Sequence, residues 1–188
     1  MKDTLSSIVA THGAENIHYT IVSYGSQIRS FVNFQDNFGD EKGLLRILEN
    51  FSPVGGTPDL DKTLEYAKSA LEGPGSRADA KKFLVLLVDN KSGSTEEDVL
   101  KFAFLLEGGG IKVIPVGIGG AVDREELENT TPLKGNIIEV PEESKPENLG
   151  KKIIDKIRES KCRNFPSLEE TSVLLDRTAE TLLLLSSV

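Results

Sequence analysis

"KFLVLLVDNKSGSTEEDVLKFAFLLEGGGIKVIPVGIG", residues 82–119, decides the fold. It opens with a continuous apolar run, 82–89, of the kind buried on both faces of a parallel sheet. Ser94 and Glu97 form a capping box that starts a helix over 94–110, and the glycines at 108–110 end it. The next run, 111–120, is again apolar and β-branched, which predicts a second strand. Strand, helix and strand in succession point to an open α/β sheet.

The pattern extends in both directions. Upstream, "SPVGGTPDLDKTLEYAKSAL" (52–71) predicts a helix. Gly55 and Gly56 permit a tight turn, Thr57 suits the N-cap, and Pro58 suits the first helical position. Asp59 and Asp61 complement the positive end of the helix dipole, and Leu60, Leu64, Ala67 and Leu71 share one apolar face. Before it come a helix over 1–11, a strand over 17–25, a partly exposed hairpin partner over 27–34 and a helix over 40–51. Downstream lie a short helix over 123–131, a short strand over 136–140 and a helix over 145–160. The alternation predicts an α/β fold: a doubly wound, mostly parallel open sheet with helices on both faces.

This domain is expected to span residues 1–160, and 161–188 to form a linker and helical tail. Asn164–Pro166 breaks the chain, and Ser167 with Glu170 forms a second capping box before an apolar-faced helix. The apolar "TLLLLSSV" (181–188) suits that helix. A strand filling a gap in the sheet is the less favoured reading of it.

Composition narrows the function. The 188 residues are 38% hydrophobic and 28% charged, with a net charge of −8. That acidity, without any Lys/Arg run, argues against a nucleic-acid surface. No apolar stretch reaches the ~20 residues that span a bilayer. The start lacks a secretory signal, so the chain as written is expected in the cytoplasm. Cys162, the single cysteine, forms no intramolecular disulfide, and two histidines far from any cysteine pair give no zinc site. His12 and His18 lie far in sequence from Asp89, so no serine–histidine–carboxylate arrangement for hydrolysis is found. The glycines of "GIGGAV" (117–122) turn the chain out of a strand, because a full Gly-x-Gly-x-x-Gly is absent.

Asp89 stands at the carboxyl end of the most apolar strand, where open α/β sheets bind ligands. A carboxylate there either caps its own turn or pairs with something. In the same way, Thr57 is either a helix cap or a ligand.

"GGTPDLDKTLEYAKSAL" followed by "KFLVLLVDNKSGSTEEDVLKFAFLLEGGGIKVIPVGIG" resembles the von Willebrand factor type A domain, over roughly residues 1–160. The resemblance implies a metal-ion-dependent adhesion site at the top of the sheet, holding Mg²⁺ or alternatively Mn²⁺ or Ca²⁺. Thr57 matches the family's threonine ligand and Asp89 its aspartate after the fourth strand. Ser92 is implied as a group orienting Asp89. A hydroxyl and a carboxylate suit a hard cation. The family's first ligand motif, Asp-x-Ser-x-Ser, is absent, as is the first strand that should precede the helix at 1–11. Weak or absent cation binding is therefore expected, in a sheet short of a central strand.

The implied function is a non-catalytic binding module of the extracellular matrix or adhesion type, recognising matrix or cell-surface proteins. Cys162, just after the last helix, matches a family cysteine whose disulfide partner would lie before the first strand. With the sequons at Asn90 and Asn129, this favours an extracellular, secreted parent. Asn129 is the expected glycosylation site, since a glycan on Asn90 would obstruct the metal face. Two alternatives remain: an intracellular scaffold assembling complexes without metal, and a nucleotide-dependent α/β enzyme.

Overall fold

Every side chain from Phe83 to Val88 is buried, as a strand covered on both faces requires. The computed structural model describes residues 2–12, 17–36, 40–132, 136–162 and 179–186. In chain order the elements are α1 (Lys2–His12), β1 (Ile17–Tyr24), β2 (Ile28–Val32), a 3-10 turn (Phe34–Asp36), α2 (Glu41–Glu49), α3 (Leu60–Glu72), β3 (Lys81–Val88), α4 (Glu96–Gly108), β4 (Ile111–Ile118), α5 (Arg124–Asn129), β5 (Ile138–Val140), α6 (Pro146–Cys162) and β6 (Ala179–Ser186).

The strands form one sheet in the order β2-β1-β6-β3-β4-β5. The hairpin strand β2 is antiparallel to β1, and the remaining pairs are parallel. Successive side chains of a strand point to opposite faces. Phe83, Val85 and Leu87 accordingly join a core with Leu5, Ile8, Leu44, Leu48 and Ile153, from α1, α2 and α6. Leu84, Leu86 and Val88 join a second core with Leu60, Leu64, Leu71, Val99 and Leu106, from α3 and α4. This two-faced covering is the doubly wound arrangement expected from the alternation.

The tail departs from expectation. Residues 179–186 form no helix: they are β6, a central strand lying parallel between β1 and β3. Leu183 is in register with Ile21 on one side and Val85 on the other. A run of four leucines fits a helix face and a strand equally well, so local pattern does not decide. The neighbours decide, because β1 and β3 each present a row of backbone N–H and C=O groups that need partners in the sheet interior. A strand satisfies both rows and a helix satisfies neither.

The gap expected in the sheet is thus filled from the C-terminal side, and a boundary at residue 160 does not separate the tail from the domain. The capping box at Ser167 and Glu170 lies outside the described residues. Cys162 is the last residue of α6 rather than beyond it. Among the described residues, no helix is long and apolar enough to cross a membrane.

Candidate functional site

Because β1, β6, β3 and β4 run parallel, their carboxyl ends share one edge of the sheet. Ligands of open α/β sheets bind outside that edge. Two loops there carry Thr57 and Asp89. The first, between α2 and α3, is pinned to the end of β1. Val54 N–H donates to Ser23 Oγ at 2.8 Å, and Ser26 donates to the Gly55 carbonyl through its N–H at 3.2 Å and its hydroxyl at 3.1 Å. The approach is so close that a Cβ on Gly25 would sit 2.7 Å from the carbonyl oxygens of both Val54 and Gly55. Gly56 has φ = +97°, a conformation that glycine adopts without strain.

Thr57 is exposed and does not cap α3, contrary to the simplest reading of "GGTPDLD". The cap position falls on Asp59, whose side chain makes no capping bond, and Pro58 lies ahead of the helix. The free N–H groups of the first turn are met from another loop instead. Ser94 Oγ accepts from Leu60 N–H at 2.7 Å and Asp61 N–H at 3.1 Å, and donates to Asp61 Oδ1 at 2.6 Å. Ser94 is therefore not the cap of α4 either. That role belongs to Thr95, which accepts from Asp98 N–H at 3.2 Å and donates to the Asp98 carboxylate at 2.7 Å.

Asp89 follows β3 directly, half-buried, with carboxylate oxygen Oδ1 closed to solvent. The structure brings its loop onto the Thr57 loop: Gly93 N–H donates to the Pro58 carbonyl at 3.0 Å. A Cβ on Gly93 would lie 3.6 Å from the Thr57 methyl, so the two loops pack at that point. Ser92 departs from its expected role. Its hydroxyl proton goes to Glu126 on α5, as does its N–H, at 3.2 and 3.0 Å to the two carboxylate oxygens. A hydroxyl has one proton, so Ser92 does not donate to Asp89. His18 lies near the amino end of β1, whereas Asp89 follows the carboxyl end of the parallel β3.

The rim of this face is acidic. Hydrogen bonding with Asp59, followed by that with the Ser94 hydroxyl and backbone N–H groups, outweighs partial desolvation and holds the Asp61 carboxyl below the usual range. The Lys91 ammonium bonds the Asp123 carboxylate at 2.6 Å, which raises the lysine and lowers the aspartate. Asn129, half-buried, lines a cleft of about 140 Å³ together with Lys91, Ser94, Asp123 and Glu126. A glycan on Asn129 would leave from the wall of this cleft. Sequence reasoning missed Glu126 and the cross-loop role of Ser94, because their partners lie 34 residues away and no local pattern marks them.

The family model that matches the chain, over residues 1–152, is that of the von Willebrand factor type A domain. The chain belongs to this family. Solved structures agree on the fold of this von Willebrand factor A domain. Proximal thread matrix protein 1 (PTMP1) from the mussel byssus superposes with a TM-score of 0.74 at 21% identity, covering 84% of this chain. The chain spans only 41% of the length of that mussel protein. Another structure of PTMP1, with a zinc-occupied MIDAS motif, gives a TM-score of 0.71 at 19% identity over 84% of this chain and 42% of that one. The manganese-loaded Plasmodium vivax TRAP protein gives 0.65 at 14%, covering 81% of this chain and 64% of that one. The SpRpn10 VWA domain gives 0.60 at 15%, covering 79% of both chains.

The domain's own donors suit a hard divalent ion in kind, since Thr57 offers a hydroxyl and Asp89 a carboxylate. They are few. Among the described residues, no three His, Cys, Asp or Glu side chains are grouped to hold a metal. A divalent ion held by one carboxylate, one hydroxyl and retained waters would be bound weakly.

Proposed function

We propose that this domain is a protein-interaction module, binding rather than catalytic, whose recognition face is the strand-end edge carrying Thr57 and Asp89. The observation that carries the reading is the direct joining of the two loops, by the Gly93 to Pro58 hydrogen bond, at the edge where such sheets bind ligands. A hard divalent ion, Mg²⁺ or Mn²⁺, would be held weakly by Thr57 and Asp89 and would supply positive charge to an acidic side chain of the partner. The carboxylates of Asp59, Asp61, Asp123 and Glu126 repel such a side chain when no ion intervenes. The partner class is an extracellular matrix or cell-surface protein, and the two sequons support an extracellular setting.

The test is a circular-dichroism melt of the whole chain with and without 10 mM Mn²⁺ or Mg²⁺, beside Asp89→Ala. With a dissociation constant of about 1 mM, the native state gains about 1.4 kcal/mol, which raises the midpoint by about 3–6 °C. The gain should vanish in Asp89→Ala. If the wild-type midpoint does not move, the ion has no part in the function. The sparse donor set favours a second reading for that outcome: an intracellular scaffold that assembles complexes through the same face without metal.

A further inference from the structure

The segment Ser92–Ser94 has every backbone N–H committed to a neighbour. Ser92 N–H goes to Glu126 on α5, Gly93 N–H to the Pro58 carbonyl beside Thr57, and Ser94 N–H to Ser92 Oγ at 3.2 Å. The hydroxyls continue the chain of bonds. Ser92 Oγ donates to Glu126, and Ser94 Oγ uses all its capacity, accepting twice from the first turn of α3 and donating to Asp61. Ser94 cannot rotate without losing three bonds together, and α3 has no cap of its own to replace them.

We propose that Ser94 is a positioning residue: through Ser92 and Glu126 it joins α5 to the start of α3, so that α5 sets how the Thr57 loop sits against the Asp89 loop. Thr57 lies three residues ahead of Leu60, and Asp89 three residues ahead of Ser92. The joint therefore spans the interval between the two candidate ligands, and displacing α5 displaces one relative to the other. Its importance for binding rests on the function proposed above, but the mechanical coupling does not.

A mutant cycle on the whole chain tests it, read by the amide resonances of Gly55, Gly56 and Thr57 and by hydrogen exchange at Leu60 and Asp61. In the wild-type background Glu126→Gln, far from Thr57 in sequence, should shift the Thr57 amide. In Ser94→Ala the same change should shift it clearly less, since the Gly93 to Pro58 bond alone still joins the two loops, and exchange at Leu60 and Asp61 should rise about tenfold, as expected for a lost capping bond. Ser94→Thr, which keeps the hydroxyl, should restore both. Should Ser94→Ala fail to fold, Ser92→Ala removes the hydroxyl links to Glu126 and to Ser94 N–H while keeping the Ser92 N–H bond to Glu126 and the cap of α3, and the Glu126 effect should shrink. An effect of Glu126→Gln on Thr57 that persists undiminished in either alanine background overturns the proposal, as does an unchanged exchange rate in Ser94→Ala. A Mn²⁺ titration of the same proteins separates the two ideas. A wild-type chain that ignores Mn²⁺ but shows the coupling loses the metal and keeps the joint, whereas Mn²⁺ binding with no coupling does the reverse.

Discussion

Thr57 and Ser94 carry the same functional group on two loops that meet at Gly93, and their surroundings give them different tasks. Thr57 is exposed and caps nothing, so Thr57→Ala should change stability by no more than about 0.5 kcal/mol in urea unfolding. Ser94→Ala, which strips two N–H groups and a carboxylate of their partner, should cost about 1–2 kcal/mol. A larger loss in Thr57→Ala than in Ser94→Ala would reverse the assignment. Gly25 shows the same dependence on surroundings: the 2.7 Å approach of two carbonyl oxygens leaves no room for a methyl group, and Gly25→Ala should cost about 1–3 kcal/mol. Asp61 adds a pH dependence whose sign follows from its lowered pKa. A carboxyl held lower in the folded state than in the unfolded one stabilises the fold above the unfolded value, and the contribution is lost as pH falls through the folded value. Asp61→Asn should therefore flatten the acid limb of a stability–pH curve below the ordinary carboxylate range and leave neutral pH behaviour to the other groups.

At the scale of elements, the helices and most strands were legible because each carries its own signal. The continuous apolar run of β3 and the apolar stripe of α3 are local facts. The starts of α3 and α4 were read less well, for a physical reason. Two hydroxyl residues, Ser94 and Thr95, stand side by side, and local pattern cannot tell which one caps the helix that follows and which reaches to another. Thr95→Ala should weaken α4 by about 1 kcal/mol, as loss of an N-cap does. Exchange protection should fall in the first turn of α4 and not in α3. The candidate ligands Thr57 and Asp89 were visible from their place after a glycine pair and after a buried strand. The bonds that join their loops were not, since each spans more than thirty residues of sequence.

The whole molecule raises the question of how the sheet is closed. In the family pattern the central position belongs to a strand preceding α1, and here the same position between β1 and β3 is taken by residues 179–186. That could not be read from "TLLLLSSV", because the segment acquires strand geometry only from the two edges it joins. It also bears on function. The loop after the family's first strand supplies the Asp-x-Ser-x-Ser donors, and β6 itself contains no aspartate, so the proposed cation site rests on Thr57 and Asp89. The most direct measurement is the thermal melt of Leu183→Pro in the full chain. Leu183 is flanked by strands on both sides, so the substitution removes an N–H and obstructs the ladder at the centre of the sheet. The account predicts a loss of about 3 kcal/mol or more, or no cooperative transition at all. A melt within about 0.5 kcal/mol of the parent would contradict it, since a tail outside the sheet would tolerate proline.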